Sequence, residues 1–162
     1  MEQRKLEERL LNQSINFPKS TKEIITNEVV KKLGLKSKFQ LNDRYDGMSF
    51  LDKHIRRVMS CMLVEKCLGI ELCDKEKPLK CNSEFEYKNK SFMIIFNNNV
   101  GRINFQNNEF DFLIYVKGDI EYNRFFIEKI ISIESFIEMN VINKTTLGSK
   151  KLISIDSSIL EF

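Results

Sequence analysis

Up to about residue 69 the apolar residues of this chain recur every three or four positions; beyond it they alternate or run together. The first pattern belongs to helices with one buried stripe, the second to strands. Leu6, Leu10 and Leu11 give residues 1–12 a single apolar face, and Phe17-Pro18 closes that segment. Ser20 with Glu23 reads as a capping box, in which each side chain satisfies an amide that the first turn leaves without a partner. Ile24, Ile25, Val29, Val30 and Leu33 form the stripe of that helix, and Gly34 follows as its C-cap. Residues 35–48 are polar and basic and end at Asp46-Gly47, which predicts the longest loop. Ser49, supported by Asp52, predicts the start of a further helix that runs to about Leu68 and stops at Gly69. Its inward residues are Leu51, Ile55, Val58, Met59, Met62 and Leu63.

The second half is expected to be mostly strand. Residues 70–73 make a short candidate. Glu84-Phe85-Glu86-Tyr87 alternates, Lys88-Asn89-Lys90 turns, and residues 91–96 are aromatic and β-branched, so together they predict a hairpin. Residues 102–106 predict another strand. Residues 110–116 are nearly all apolar, which predicts a central strand buried on both faces. Gly118-Asp119 is expected to turn, residues 124–131 to form a strand, Ser132 to cap a short helix to about Met139, and residues 151–155 to form the last strand. The predicted class is α/β, more narrowly α+β. N-terminal helices precede a mixed, largely antiparallel sheet of about five strands with a late short helix. One compact domain is expected, with a helical segment and basic loop at 1–48 and an α/β core at 49–162.

Composition narrows the function little. Hydrophobic residues are 42% and charged residues 30%, which excludes a disordered or collagen-like chain. Ala and Trp are absent while Lys, Ile, Asn and Phe abound, as in an AT-rich genome. No run approaches the ~20 apolar residues of a membrane span, and Met1-Glu2-Gln3-Arg4-Lys5 leads into no apolar stretch, so a cytoplasmic protein without a membrane partner is expected. Cys61, Cys67, Cys73 and Cys81 would then be reduced. They contain no C-x-x-C pair, so buried free thiols are expected ahead of a zinc site that would add His54.

The net charge of +3 is unevenly spread. Residues 1–60 hold 13 basic and 8 acidic residues, a balance of +5, and residues 61–162 hold 13 and 15, a balance of −2. A solvated surface accounts for so mild an excess. Contact with a polyanion is the alternative, and Lys31, Lys32, Lys36, Lys38, Arg44, Arg56 and Arg57 would then carry it. Glu65 falls near the middle of the apolar stripe of its helix, next to Val58 and Met62 and with His54 and Cys61 on the same flank. A carboxylate there is either paired, or part of a site, or turned out to solvent at the helix end.

Three segments carry a family resemblance: a helix with Glu65 followed by Leu68-Gly69-Ile70, the hairpin of residues 84–92, and the run Phe110-Asp111-Phe112-Leu113-Ile114-Tyr115-Val116. In this order, over residues 49–135, they resemble the restriction-endonuclease-like, or PD-(D/E)XK, nuclease superfamily. The resemblance implies that fold and Mg²⁺-dependent hydrolysis of phosphodiester bonds. Carboxylates would hold the metal beside the phosphate, and a Lys would stabilise the charge of the phosphorane.

Two registers fit the pattern. In the first, Asp74 is the leading metal ligand, Glu86-Tyr87-Lys88 is the E-x-K, and Glu65 adds a third carboxylate. Glu65, Asp74 and Glu86 then hold Mg²⁺, and Glu86 and Lys88 are catalytic. In the second, the hairpin itself is aligned, Glu84 or Glu86 replaces the Asp, and Ile94 and Phe96 stand at the catalytic positions, so the site is silent. Alternatively Glu84, Glu86 and Lys88 are simply the solvent side of a strand. Three functions follow: an endonuclease of restriction, repair or mobile-element type; a catalytically silent nucleic-acid-binding or subunit protein of the same fold; or an unrelated phage or plasmid interaction domain. DNA ranks ahead of RNA as the partner, and a homodimer or a larger complex is the expected assembly.

Overall fold

The computed structural model describes residues 2–96, 102–106, 110–132, 142–147 and 150–156. Its longest helix, α4 (Gly47–Leu68), buries eleven of its 22 residues, too many for one neighbour to cover. Helices α1 (Glu2–Leu10), α2 (Lys19–Lys32) and α3 (Gln40–Asp43) lie against it, with a short strand, β1 (Ser14–Asn16), between the first two. The sheet residues come after: β2 (Glu84–Tyr87), β3 (Lys90–Phe96), β4 (Arg102–Gln106), β5 (Phe112–Asp119), β6 (Arg124–Ser132), β7 (Ile142–Leu147) and β8 (Lys150–Asp156).

Five strands form one sheet in the order β1-β6-β5-β3-β2. β5 runs parallel to β3, and every other pair is antiparallel. This is the mixed, largely antiparallel α+β arrangement that the strand periods predict. Strands β4, β8 and β7 make a second, three-stranded antiparallel sheet.

Directly paired strand residues share a face, so Phe85, Phe92 and Phe112 stack in a row, with ring centroids 5.2 and 5.3 Å apart. Ile94, Ile114, Val116, Phe125 and Ile127 extend that face, and Ile55, Val58, Met59 and Leu63 of α4 belong to the same core. Leu113 and Tyr115 point the other way and are buried as well, so β5 is covered on both faces. Leu10, Ile25, Val29 and Leu41 join the same core from the N-terminal segment.

Several local expectations are corrected. α2 starts at Lys19 with Pro18 as its N-cap (φ −65°) and no side-chain cap bond, so Ser20 and Glu23 do not form a capping box. Proline presets the helix entry and has no amide that needs a partner. Ile24 of the predicted stripe is exposed. α4 starts at Gly47, ahead of Ser49. Gly47 is buried, and a Cβ there would overlap the Leu41 carbonyl oxygen, so glycine allows α3 to lie directly on the start of α4. The predicted turn at Gly118-Asp119 is still strand, and the chain reverses at residues 120–123 instead. A Cβ at Gly118 would overlap the Phe125 ring, which explains a glycine inside a strand. The candidate strand at 70–73 shrinks to one bridge, Cys73 opposite Cys81. Ser132 ends β6, and the rest of the predicted late helix, 133–139, lies outside the described residues.

Phe112→Ala should destabilise the fold by about 3–5 kcal/mol, since it opens a hole in the aromatic row under α4. Urea unfolding measures it; a loss below about 1 kcal/mol would contradict a central β5.

Candidate functional site

Of the carboxylates expected to hold Mg²⁺, Glu65 and Asp74 are occupied by backbone amides, and Glu86 lies on another face of the sheet. Glu65 Oε2 accepts hydrogen bonds from the amides of Leu72 (2.7 Å) and Cys73 (2.8 Å). Helix α4 ends at Gly69 in the left-handed region (φ 68°), the chain doubles back, and the inward carboxylate ties it down. Asp74 is exposed, and its Oδ1 accepts the amides of Glu76 (2.8 Å) and Lys77 (3.1 Å), which hold its carboxyl below the ordinary range. Glu86 pairs with Ser91 on the sheet face opposite Phe85 and Tyr87, so the strand separates it from Glu65 on the α4 side. Lys88 occupies the two-residue turn with Asn89, both at positive φ (49° and 62°), and its Nζ lies 5.5 Å from the centre of the Tyr87 ring.

Among the described residues no group of three or more His, Cys, Asp and Glu side chains is placed to hold a metal ion. Glu65, Asp74 and Glu86 therefore do not fit a shared Mg²⁺, and no catalytic step through that ion is derived. In the hairpin-aligned register, Ile94 is buried in the core and Phe96 is half-buried. Neither can ligate a metal or supply a charge to a phosphate. Asp111 Oδ2 accepts the Ser91 amide (2.9 Å) and hydroxyl (3.1 Å), tying the start of β5 to the start of β3.

The seven basic candidates divide into two groups. Arg56 Nη1 donates to the Gly118 carbonyl at 2.8 Å and Arg57 Nη2 to the Leu79 carbonyl at 2.8 Å, so both join α4 to its surroundings. Lys31, Lys32, Lys36, Lys38 and Arg44 are all exposed and lie within one segment, from the end of α2 to the start of α4. Leu35 packs on the core, and Leu41 and Gly47 are buried, so the segment is pinned at three points.

Between those pins two aromatic rings face outward. Phe39 is 71% exposed and Tyr45 fully exposed, flanking α3. Lys38 Nζ is 5.8 Å from the Phe39 ring centre, and the Lys36 amide donates to Gln40 Oε1 at 2.7 Å, which fixes the turn before α3. Asp43 and Asp46 reduce the five positive charges of residues 31–48 to a net +3. Arg44 Nε is 3.4 Å from Asp46 Oδ1, an exposed pair of little energetic weight. The expectation from charge alone omits Phe39 and Tyr45. Their signal in the sequence is two aromatic residues inside an otherwise polar, basic loop.

His54, on the inner flank of α4, is 8% exposed, with the Phe50 ring 4.4 Å away edge-on. Arg57 Nη2 lies 3.1 Å from its Nδ1. A guanidinium can only donate, so Nδ1 accepts and the ring is neutral. Burial, then the charges of Arg57, Lys32 and Lys53, lower its pKa to about 4.

No family model, curated protein or solved structure matches this chain.

Two outcomes follow from this geometry. The unfolded chain protonates His54 near pH 6.5, whereas the folded one resists protonation down to about pH 4. The stability this contributes is complete above pH 6.5 and is lost as pH falls through that window. Urea unfolding at pH 7 and pH 5 should show a pH-dependent loss that is smaller in His54→Gln; equal losses in the two proteins would refute the assignment. Millimolar Mg²⁺ should raise the Tm no more than NaCl of equal ionic strength, and a larger rise would reveal a bound divalent ion.

Proposed function

We propose that this protein binds single-stranded nucleic acid through residues 31–48, as a catalytically silent relative of the restriction-endonuclease-like nucleases acting in the cytoplasm. Phe39 and Tyr45 stack on bases, and Lys31, Lys32, Lys36, Lys38 and Arg44 neutralise phosphates. The observation that carries this reading is the pair of outward aromatic rings set among five exposed cations on a segment whose backbone is pinned to the core. Single strands are bound in this way because every base has a face to stack on, while cations track the backbone. A segment pinned before binding loses little entropy when it docks. Duplex DNA hides its base faces, so a stacking surface favours unpaired strands. Hydrolysis is left out of the reading because the expected carboxylates are committed to backbone amides or stand on the opposite face of the sheet.

Fluorescence anisotropy with a labelled oligothymidylate tests the proposal, and a labelled oligouridylate compares RNA with DNA. Log Kd should vary linearly with log salt concentration, with a slope of about 0.7 per phosphate neutralised on a single strand. Phe39→Ala and Tyr45→Ala should each weaken binding by about 1–3 kcal/mol and leave the slope unchanged. Lys36→Ala with Lys38→Ala should flatten the slope. Arg56→Ala, in protein shown to be folded, should change neither. Absence of binding at low salt would overturn the proposal, as would aromatic variants that bind like the parent.

A further inference from the structure

The segment between α4 and β2 holds a second constellation. The Asp74 amide donates to the Lys80 carbonyl at 3.1 Å, and the Asn82 amide to the Leu72 carbonyl at 2.9 Å. Cys73 and Cys81 sit opposite each other between those two bonds, as an antiparallel bridge. They are therefore a non-hydrogen-bonded pair, in which opposite Cα atoms stand about 4.5 Å apart. A disulfide accepts Cα separations of about 4.4–6.8 Å. In such a pair the two side chains leave the same face side by side, and the Cys61 thiol is among their neighbours. Cys73 and Cys81 line an open depression of about 510 Å³ together with Asp74, Lys80 and Asn82, so a small reagent can reach them. Cys61 is buried on α4, its Sγ 3.7 Å from the Asn82 carbonyl oxygen.

We propose that Cys73 and Cys81 are a redox site that a low-molecular-weight disulfide of the glutathione type converts into a reversible intramolecular disulfide. The Cys81 thiolate attacks one sulfur of the reagent, forming a mixed disulfide and expelling one thiolate, which takes up a proton. Cys73 then gives up its proton, attacks Cys81 Sγ, and expels the second thiol. Two protein thiols and one reagent disulfide become one protein disulfide and two reagent thiols. The electrostatics favour Cys81 as the attacking group. Its thiol neighbours Cys61 and Cys73, then the charge of Arg57, hold the Cys81 thiol well below the ordinary range despite burial. The neighbouring thiols Cys73 and Cys81, with burial, push the Cys61 thiol up, which keeps it protonated as a donor to the Asn82 carbonyl. Cys67 has no thiol among its neighbours and serves as an internal control. A Zn²⁺ site using His54 as fourth ligand is disfavoured, because the His54 Nδ1 accepts from the Arg57 guanidinium and, among the described residues, no three His, Cys, Asp or Glu side chains are placed to hold a metal ion.

The test is disulfide mapping of the purified chain after equilibration with oxidised glutathione, alkylation of the remaining thiols and proteolysis, with a parallel sample in urea. The expected product is a Cys73–Cys81 linked peptide, dominant in the native sample only and reversed by dithiothreitol, with Cys67 fully alkylated. Cys61→Ala should retain the link. Cys73→Ser and Cys81→Ser should lose it, the partner appearing as a glutathione adduct. The proposal is overturned if the native protein gives no Cys73–Cys81 peptide, or the same mixture of links as in urea. Stoichiometric Zn²⁺ that shields the three thiols from alkylation would also overturn it. The native-against-urea comparison of the parent chain decides the matter even where a variant does not fold.

Discussion

Everything else in this structure is arranged around the need to bury α4 on more than one side. A helix with a single apolar stripe could rest on the sheet and leave its back to solvent. This one also buries His54, Ser60, Cys61 and Val64 in addition to the Leu51, Ile55, Val58, Met59 and Leu63 stripe. Strands β3, β5 and β6 take one face, and α1, α2 and α3 take others. The segment after Gly69 folds back along the helix, where the Cys61 thiol meets the Asn82 carbonyl and Arg57 meets Leu79. The N-terminal helices are thus structural parts of the core, and β1 ties them to β6.

Both candidate sites are consequences of that coverage. To reach α4, the chain between α2 and α4 has to insert Leu35 and Leu41 and pass close at Gly47. The residues among those anchors that point outward include Phe39, Tyr45, Lys36, Lys38 and Arg44, and Lys31 and Lys32 at the end of α2 precede them. The segment after α4 is held by the Glu65 carboxylate and by the Asp74 turn, which brings Cys73 opposite Cys81 and the Asn82 carbonyl to the Cys61 thiol. Two of the acidic residues that could be taken for metal ligands, Glu65 and Asp74, are the fasteners of this loop.

The elements legible in the sequence were those whose signal is local. The hairpin at β2 and β3, the buried run of β5 and the stop at Gly69 each follow from period or turn chemistry within a few residues. What depended on contacts distant in sequence was not legible. The three-residue β1 is too short to show a period, and it exists because β6 offers it an edge. The Ser20–Glu23 box is chemically sound but loses to Pro18, which caps the helix two residues earlier. Glu65 could be recognised as an inward carboxylate that needs partners, but only the fold shows them to be the amides of Leu72 and Cys73. Irregular cysteine spacing argues against a metal site and conceals a thiol pair made by the bridge between Cys73 and Cys81. The Pro and charged residues between those two cysteines are the one sequence sign of that turn.

The central claim is that the outward face of residues 31–48 meets bases directly. Ultraviolet crosslinking of the folded protein to a single-stranded oligonucleotide, read by mass spectrometry of the crosslinked peptides, tests it most directly, because crosslinks form only where a side chain touches a base. The account predicts crosslinks at Phe39 and Tyr45 that disappear as salt is raised. Crosslinks confined to the β2–β3 hairpin around Glu86 and Lys88, with none between residues 31 and 48, would contradict it and return the nucleic-acid site to the sheet.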